Sequence, residues 1–366
     1  ETALVLGPTH FMEAFAFAEQ NKSVLLADAI KGNRARVLGD LPDSLANKDK
    51  NLQKTRSLLE AKLLEKRPNQ EKDSLRNELN HVNQDIDDFQ ALVKTQYPKY
   101  QFGKNSKADG ESVRYNPTKK TLVWSNEGER LFRKTDTTIV QPALTFISTT
   151  GKYLDTVPLP AGFHITKQNY GVRKNAFFEG LSYADQYNTL YASLEEPLYQ
   201  DGQQSHFEFD GALTRILKFD VANKKNVAQY AYNLDALPIK PTVESDWNLN
   251  GISEILAINN HTLIVMERAW AKGRDDHSFV KLYLVDLNGA ENVINNSSFL
   301  KNPPKPLTKK LLFDFDSLNM HIDNIEGITF GPRLANGHES LVFCVDNNFG
   351  KTQIQQFFLF EVEFLD

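Results

Sequence analysis

An acidic residue stands at either end of Glu179-Gly-Leu-Ser-Tyr-Ala-Asp-Gln-Tyr-Asn-Thr-Leu-Tyr-Ala-Ser-Leu-Glu195, which otherwise holds two short apolar runs. Tyr187 and Asn188 lie at its midpoint, where a turn would join the two runs as antiparallel strands. Antiparallel strands return to the same end of the hairpin. The side chains of Glu179 and Glu195 are therefore expected to lie side by side.

Four more segments of the chain repeat this pattern, with one acidic residue opening the first strand and another closing the second. The five units run from Glu13 to Asp28, Glu111 to Glu127, Glu179 to Glu195, Glu254 to Glu267 and Glu326 to Asp346. Further strand-like runs follow most of the units. Repeated four-stranded units arranged around an axis are typical of a β-propeller. We therefore expect an all-β propeller of five blades, with six blades as the alternative.

Residues 41–98 interrupt this β pattern and contain no glycine. Their apolar residues recur in steps of four and three, which is the spacing of a helical seam: Leu75, Leu79, Val82, Ile86, Phe89 and Val93. Pro68 supplies a break that neither helix could run through. The sequence thus predicts an inserted antiparallel helical hairpin over residues 41–98, carried by a propeller domain made of residues 1–40 and 99–366.

The overall composition excludes several classes of protein. Across 366 residues, 42 Lys and Arg against 47 Asp and Glu give a net charge of −5, so nucleic-acid binding through a global positive field is excluded. No apolar run approaches the roughly 18 residues of a transmembrane segment. The chain begins at Glu1 rather than at methionine, which fits either a trimmed chain or a mature protein whose export signal has been removed.

The acidic residues that open the first strands are candidate metal ligands. In a propeller the first strand of each blade lines the central channel, so these residues would form a ring at one mouth: Glu13, Glu111, Glu179, Glu254 and Glu326. Ca²⁺ suits such a ring, because it accepts six to eight oxygen ligands in flexible geometry. Two alternatives remain. The carboxylates could cap strand ends and pair with Arg114, Arg173 and Arg268, or they could transfer protons without a metal.

Several motifs taken together are similar to those of a known family. They are Glu111-Ser-Val-Arg-Tyr with Trp124-Ser-Asn-Glu-Gly128, Asn175-Ala-Phe-Phe-Glu-Gly-Leu181 with Ala192-Ser-Leu-Glu-Glu-Pro-Leu198, Ser253-Glu-Ile with Val265-Met-Glu-Arg268, and Asn324-Ile-Glu-Gly-Ile328 with Asp346-Asn-Asn-Phe349. The chain resembles the bacterial phytase-like family, described as having the esterase-like activity of phytase. The resemblance spans residues 103–366 and, more faintly, 3–38. The helical insertion departs from the family pattern, as does Asp28, which alanine follows.

The resemblance implies an exported propeller, periplasmic or secreted, with hydrolase activity on phosphate or carboxylic esters. The resulting hypothesis is a Ca²⁺-dependent hydrolase of a small anionic ester. Glu127, Glu195, Glu267 and Asp346 would position water or orient ligands, and the substrate would be held by Arg114, Arg268, Arg173 and Asn347. The alternative is a non-catalytic, metal-stabilised binding propeller that meets a protein partner through the helical hairpin or the channel mouth.

Overall fold

The computed structural model describes residues 42–64, 68–96, 110–132, 137–149, 151–208, 211–243, 248–273, 277–347 and 352–363. The chain divides into two compact units. One unit contains the two helices, and the other contains nearly all of the strand residues. In the described part of the chain, neither helix has the length and apolarity that crossing a bilayer would require.

The helical unit consists of α1 (Asp43–Leu64) and α2 (Asn69–Gln96), which pack against each other. Pro68 directly precedes α2, and its carbonyl accepts a hydrogen bond from the Lys72 amide at 3.1 Å. The proline has no N–H group, so it fits before a first helical turn but not within a helix. Ile86 and Phe89, two residues of the predicted seam, are buried on α2.

The first sheet follows the helices. It contains β1 (Gly110–Asn116) and β2 (Thr121–Asn126), which a two-stranded ribbon of β3 (Glu129–Phe132) and β4 (Thr137–Val140) separates from the next strands in the chain. β5 (Ala143–Ser148) and β6 (Tyr153–Val157) complete this sheet in the order β1-β2-β5-β6.

Three further sheets repeat the same consecutive arrangement. The second contains β7 (Phe178–Ala184), β8 (Thr189–Leu194), β9 (Ala212–Asp220) and β10 (Lys225–Leu234). The third contains β11 (Asn248–Ala257), β12 (Thr262–Ala271), β13 (Phe279–Asp286) and β14 (Lys309–Asp314). After a short 3₁₀ turn, Phe315–Leu318, the fourth contains β15 (Ile325–Phe330), β16 (Glu339–Val345) and β17 (Phe357–Val362).

The first strands of neighbouring sheets contact one another, β1 with β7, β7 with β11, and β11 with β15. Among the described residues, three apolar clusters lie between the sheets, each shared by two neighbours. Leu144 and Leu181 belong to the first of these clusters, and Met266 and Phe343 belong to the third. Inner strands in contact, with apolar side chains filling the space between sheets, are the arrangement of propeller blades.

The predicted all-β propeller class is confirmed, but the predicted number of blades is not. The described residues form four blade-like sheets rather than five or six. Four of the five predicted hairpins are the strand pairs β1–β2, β7–β8, β11–β12 and β15–β16. The remaining unit, from Glu13 to Asp28, lies outside the described residues.

Candidate metal centre

A β-bulge interrupts the inner hairpin of each described blade at the level of the predicted acidic residues. In the second blade Phe178 pairs with Leu194 and Leu181 pairs with Ala192, so one extra residue is accommodated around Glu179. The first blade has the same irregularity around Glu111, and the fourth has it at Glu326. Bulges redirect side chains and disturb the ladder locally. Here they lie at equivalent points of neighbouring blades.

The third blade carries different residues at these equivalent points. Its bulge falls at Ser253, because Ile252 pairs with Glu267 whereas Glu254 pairs with Met266. Glu254 therefore stands one residue later in the register than Glu111, Glu179 and Glu326. On the second strand, the position that is acidic in the other blades holds Arg268.

These positions are named together as the ring positions. They are the bulge residues Glu111, Glu179, Ser253 and Glu326, and the second-strand residues Glu127, Glu195, Arg268 and Asp346. The register of all four hairpins defines them. Six of the eight are acidic, and the two exceptions both belong to the third blade.

Three ring carboxylates lie close enough together to hold a metal ion. Glu127, Glu179 and Glu195 each offer an oxygen, and these oxygens all lie within 4.8 Å of one another. Glu127 and Glu195 are 5% and 3% exposed, and Glu179 is partly buried. The backbone of Phe177 links two of them, because its N–H donates to Glu127 Oε1 at 2.6 Å and its carbonyl accepts from the Glu195 amide at 2.7 Å.

The electrostatic environment of this cluster opposes ionisation. Burial raises the pKa of Glu179 well above 4.5, and the carboxylates of Glu111, Glu195 and Glu127 raise it further, while Arg268 opposes them. Because like charges and lost hydration both penalise the charged form, the cluster needs a cation or protons to be stable.

Glu195 is also surrounded by carboxylates, and in addition it pairs with the guanidinium of Arg268. Burial raises its pKa well above 4.5, and Arg268 opposes this shift. The neighbouring carboxylates of Glu196, Glu111 and Glu326 raise the pKa further. Glu195 is therefore the carboxylate of the cluster that pairs with the only basic residue at the ring positions.

Arg268 pairs with acidic residues of two neighbouring blades. Its Nη1 lies 2.6 Å from Glu326 Oε1 and also donates to the Asn324 side chain, and its Nη2 lies 3.3 Å from Glu195 Oε1. Burial alone would lower the pKa of Arg268, but the surrounding carboxylates outweigh burial and raise it. Arg268 therefore stays charged and neutralises part of the ring.

Glu254 has a structural environment rather than that of a ring ligand. Its Oε1 accepts hydrogen bonds from the Leu181 and Ile255 amides, each at 2.9 Å. Its Oε2 accepts from Ser112 Oγ at 3.1 Å and from Arg114 Nη2 at 2.5 Å. Burial still raises the pKa of Glu254, with Arg114 opposing the shift. The one-residue displacement in register explains why this carboxylate ties blades together instead of joining the cluster.

Glu267 likewise lies away from the ring positions, because Arg268 takes the equivalent place. Glu267 Oε1 accepts from the Tyr232 hydroxyl at 2.7 Å and from Lys309, and Oε2 accepts from the Asp235 amide at 2.9 Å. This buried carboxylate is fully engaged by donors. The expectation that Glu267 would act beside Glu195 therefore does not match its surroundings.

The other predicted site residues are dispersed. Arg114 is paired with Glu254, and Arg173 donates to the carbonyls of Pro197 at 2.9 Å and Gly202 at 2.6 Å. Asp346 occupies a ring position, and its amide bonds to the Asn324 carbonyl at 2.9 Å. Asn347 follows it and is partly buried. Glu13 lies outside the described residues.

Ser253 is the ring residue that sequence reasoning missed. Aligning the units on their first acidic residue hid it. Aligning them on the next inward apolar residue would have revealed it, since Val113, Leu181, Ile255 and Ile328 pair equivalently with the second strands. That alignment places Ser253 beside Glu111, Glu179 and Glu326 in the pattern.

The fold and the site together define a β-propeller with a carboxylate cluster at the ends of its inner hairpins. The family model for phytase-like proteins, described as "esterase-like activity of phytase", matches residues 16–349. This range is well over half of the chain, so the chain belongs to the phytase-like family, as its motifs predicted.

Two other comparisons add little. No curated protein matches the chain. Among solved structures, the β-propeller domain of Cps50 (Swd1) from Myceliophteria thermophila is 11% identical, with a TM-score of 0.19, and the match covers 69% of this chain and 96% of that one. A similarity this weak carries no argument about function.

Proposed function

We propose that the protein is an exported, metal-dependent hydrolase of phosphate or carboxylic esters, with a hard divalent cation, Ca²⁺ in the first instance, at Glu127, Glu179 and Glu195. The observation that carries this proposal is the approach of three carboxylates to within 4.8 Å of one another. Membership of the phytase-like family supports the hydrolase class.

The residues present fit such a cation. All three donors are carboxylate oxygens, the ligands that Ca²⁺ and other hard cations prefer, and they leave coordination positions for water and substrate. At about 5 Å and an effective dielectric near 20, each pair of like charges costs about 3 kcal/mol. A bound cation would remove this repulsion, and it would bind more tightly where the carboxylates are already preorganised.

When bound, the cation would neutralise ester oxygens and lower the pKa of a coordinated water. The chain's own residues would then do the positioning. Arg268 would face the anionic group of the substrate, since it is the one cationic residue at the ring positions. Glu111 and Asp346 occupy ring positions outside the three-carboxylate cluster, and we propose that they orient the attacking water. Arg114 and Arg173 would serve the fold rather than the substrate.

A second candidate is a metal-stabilised propeller that binds a ligand or protein partner without catalysis. The observation that favours it is the internal engagement of the arginines, because Arg114 pairs with Glu254 and Arg268 pairs with Glu195 and Glu326. A substrate anion would have to compete with those carboxylates.

An assay panel separates the two functions. Aryl phosphates, nucleotides, phytate and short acyl esters would be tested with Ca²⁺ and with EDTA. Glu179→Gln would be compared with the control Glu208→Gln, whose carboxylate is solvent-exposed. If the protein is a hydrolase, Ca²⁺ should support turnover of at least one ester. The Glu179→Gln variant should lose this turnover, and the Glu208→Gln variant should keep it. A folded protein that binds Ca²⁺ but turns over none of these esters would be a binding propeller.

A further inference from the structure

The third blade makes one side of the ring chemically different from the rest. Each of the other three described blades places two acidic residues at the ring positions, for a formal charge of −2. The third blade places Ser253 and Arg268 there instead, for a formal charge of +1. The carboxylates proposed to bind the cation therefore lie next to Ser253 and Arg268 of the third blade, where the positive charge repels cations and attracts anions.

Ser253 is a buried hydrogen-bonding group without a partner. It is 2% exposed, and within the part of the chain that the structure describes its hydroxyl has no hydrogen-bond partner. Buried polar side chains in folded proteins are nearly always hydrogen-bonded, and each exception needs an explanation such as a ligand or water. The free hydroxyl is thus a second sign of a ligand, separate from the acidic cluster.

The neighbours of Ser253 place it beside the cluster. The amide of Ile252 bonds to the Glu195 carbonyl at 3.1 Å, and Glu254 Oε1 accepts from the Leu181 amide at 2.9 Å. Ser253 stands between these two attachments to the second blade. Its register position is that of Glu179, whose carboxylate belongs to the cluster. The equivalent register positions put Ser253 at the same level of its inner hairpin as Glu179.

We propose that the Ser253 hydroxyl and the Arg268 guanidinium bind an anionic oxygen of the substrate beside the bound cation; this proposal rests on the proposed function. A hydroxyl donates one hydrogen bond, and the planar guanidinium offers several donors suited to phosphoryl or carboxylate oxygens. Ser253 thus makes the site specific for esters that carry an anionic group next to the reacting bond.

Two titrations on the intact protein test this proposal. Calorimetry first measures Ca²⁺ binding and then measures inorganic phosphate binding to the Ca²⁺-loaded protein. Ser253→Ala is expected to weaken phosphate binding at least tenfold while Ca²⁺ affinity stays within twofold. The control Ser205→Ala removes a buried hydroxyl that bonds to the Asp235 carbonyl, away from the ring positions, and is expected to leave both affinities unchanged. Arg268→Lys, which keeps the charge but loses the planar donors, is expected to weaken phosphate binding as well.

Other outcomes overturn the proposal. If Ser253→Ala lowers Ca²⁺ affinity and leaves phosphate binding intact, Ser253 is a cation ligand instead. If neither affinity changes, its hydroxyl has no role in binding. If the unaltered protein binds no cation, the proposed function fails, and phosphate is then titrated into the protein without cation. Phosphate binding that Ser253→Ala weakens would still support the anion site. Absence of phosphate binding would exclude the anion site.

Discussion

Two groups of buried carboxylates lie within the same propeller and differ in what surrounds them. Glu254 and Glu267 each accept several hydrogen bonds, from amides, hydroxyls and the basic residues Arg114 and Lys309. Glu179 lies instead among other carboxylates, which raise its pKa together with burial. Burial alone therefore does not distinguish a structural carboxylate from a ligand. The number of hydrogen-bond donors around the carboxylate does distinguish the two.

This difference separates the two groups in experiment as well. A carboxylate that donors surround stabilises the fold whether or not a cation is present, because its charge is already compensated. A carboxylate that other carboxylates surround destabilises the metal-free protein and favours cation binding. The variants at Glu254 and Glu179 each act on one of the two groups, and removal of the helices acts on neither.

The largest effect is expected for Glu254→Ala. This change leaves the Arg114 charge and the amides of Leu181 and Ile255 without their acceptor, so the free energy of unfolding should fall by about 3–5 kcal/mol. Urea unfolding in Ca²⁺ and in EDTA measures it, and the loss should be equal in both. A loss found only in Ca²⁺ would make Glu254 a metal ligand and would break the comparison.

A smaller effect is expected for Glu179→Gln, which should abolish the stabilisation that the cation provides. At a Ca²⁺ concentration one hundred times the dissociation constant, binding should add about 2.7 kcal/mol to the free energy of unfolding of the unaltered protein. Glu179→Gln should lose this gain, while the control Glu208→Gln keeps it. Thermal melting with Ca²⁺ and EDTA measures both, and an unchanged Ca²⁺ response in Glu179→Gln would exclude this residue from the site.

The metal-free protein should become less stable as pH rises. The folded-state pKa values of Glu179 and Glu195 lie well above their ordinary 4.5, so above about pH 4.5 the folded state holds protons that the unfolded chain has released. The free energy of unfolding then falls by up to about 1.4 kcal/mol per pH unit for each group until pH passes the folded pKa.

Saturating Ca²⁺ should remove this part of the pH dependence, because both carboxylates are then ionised in the folded state. Burial also raises the pKa of Glu196 to about 7, so part of the decline between pH 4.5 and 7 persists in both conditions. The difference between the two pH profiles isolates the cluster. Identical profiles in Ca²⁺ and EDTA would mean that no cation displaces its protons.

The smallest effect on the ring is expected from removing the helices. We propose that residues 41–98 are an insertion, so replacing residues 43–96 by a short glycine linker should leave a folded β protein with unchanged Ca²⁺ affinity. Circular dichroism and calorimetry measure the two quantities. Global unfolding of the shortened chain would make the helices part of the propeller's own core.

The sequence predicted the propeller class well, because the acid-flanked hairpins and their turns are local patterns. It also named the acidic ring residues, since Glu111, Glu179 and Glu326 lie at the bulges and Glu127, Glu195 and Asp346 lie at the equivalent positions of the second strands. It failed in the third blade, where Glu254 and Glu267 look like the other pairs but are each displaced by one residue. A bulge decides which residue faces the ring, and the spacing of acidic residues does not reveal where the bulge falls.

The sequence also did not predict which strands supply the carboxylates of the cluster. First-strand acids were expected to bind metal and second-strand acids to position water, whereas the cluster combines Glu179 with Glu127 and Glu195. Which carboxylates converge depends on how neighbouring blades pack, and that packing involves residues far apart in the chain. No local sequence pattern predicts which carboxylates converge.

Calorimetric titration of Ca²⁺ into the metal-free protein, with elemental analysis of the protein as purified, tests the central claim most directly. We expect one hard divalent cation per chain, with proton release on binding because Glu179 and Glu195 ionise, and with binding lost in Glu179→Gln but kept in Glu254→Gln. Absence of heat and of metal in a folded protein would mean that protons and Arg268 alone neutralise the ring, and the metal centre would be contradicted.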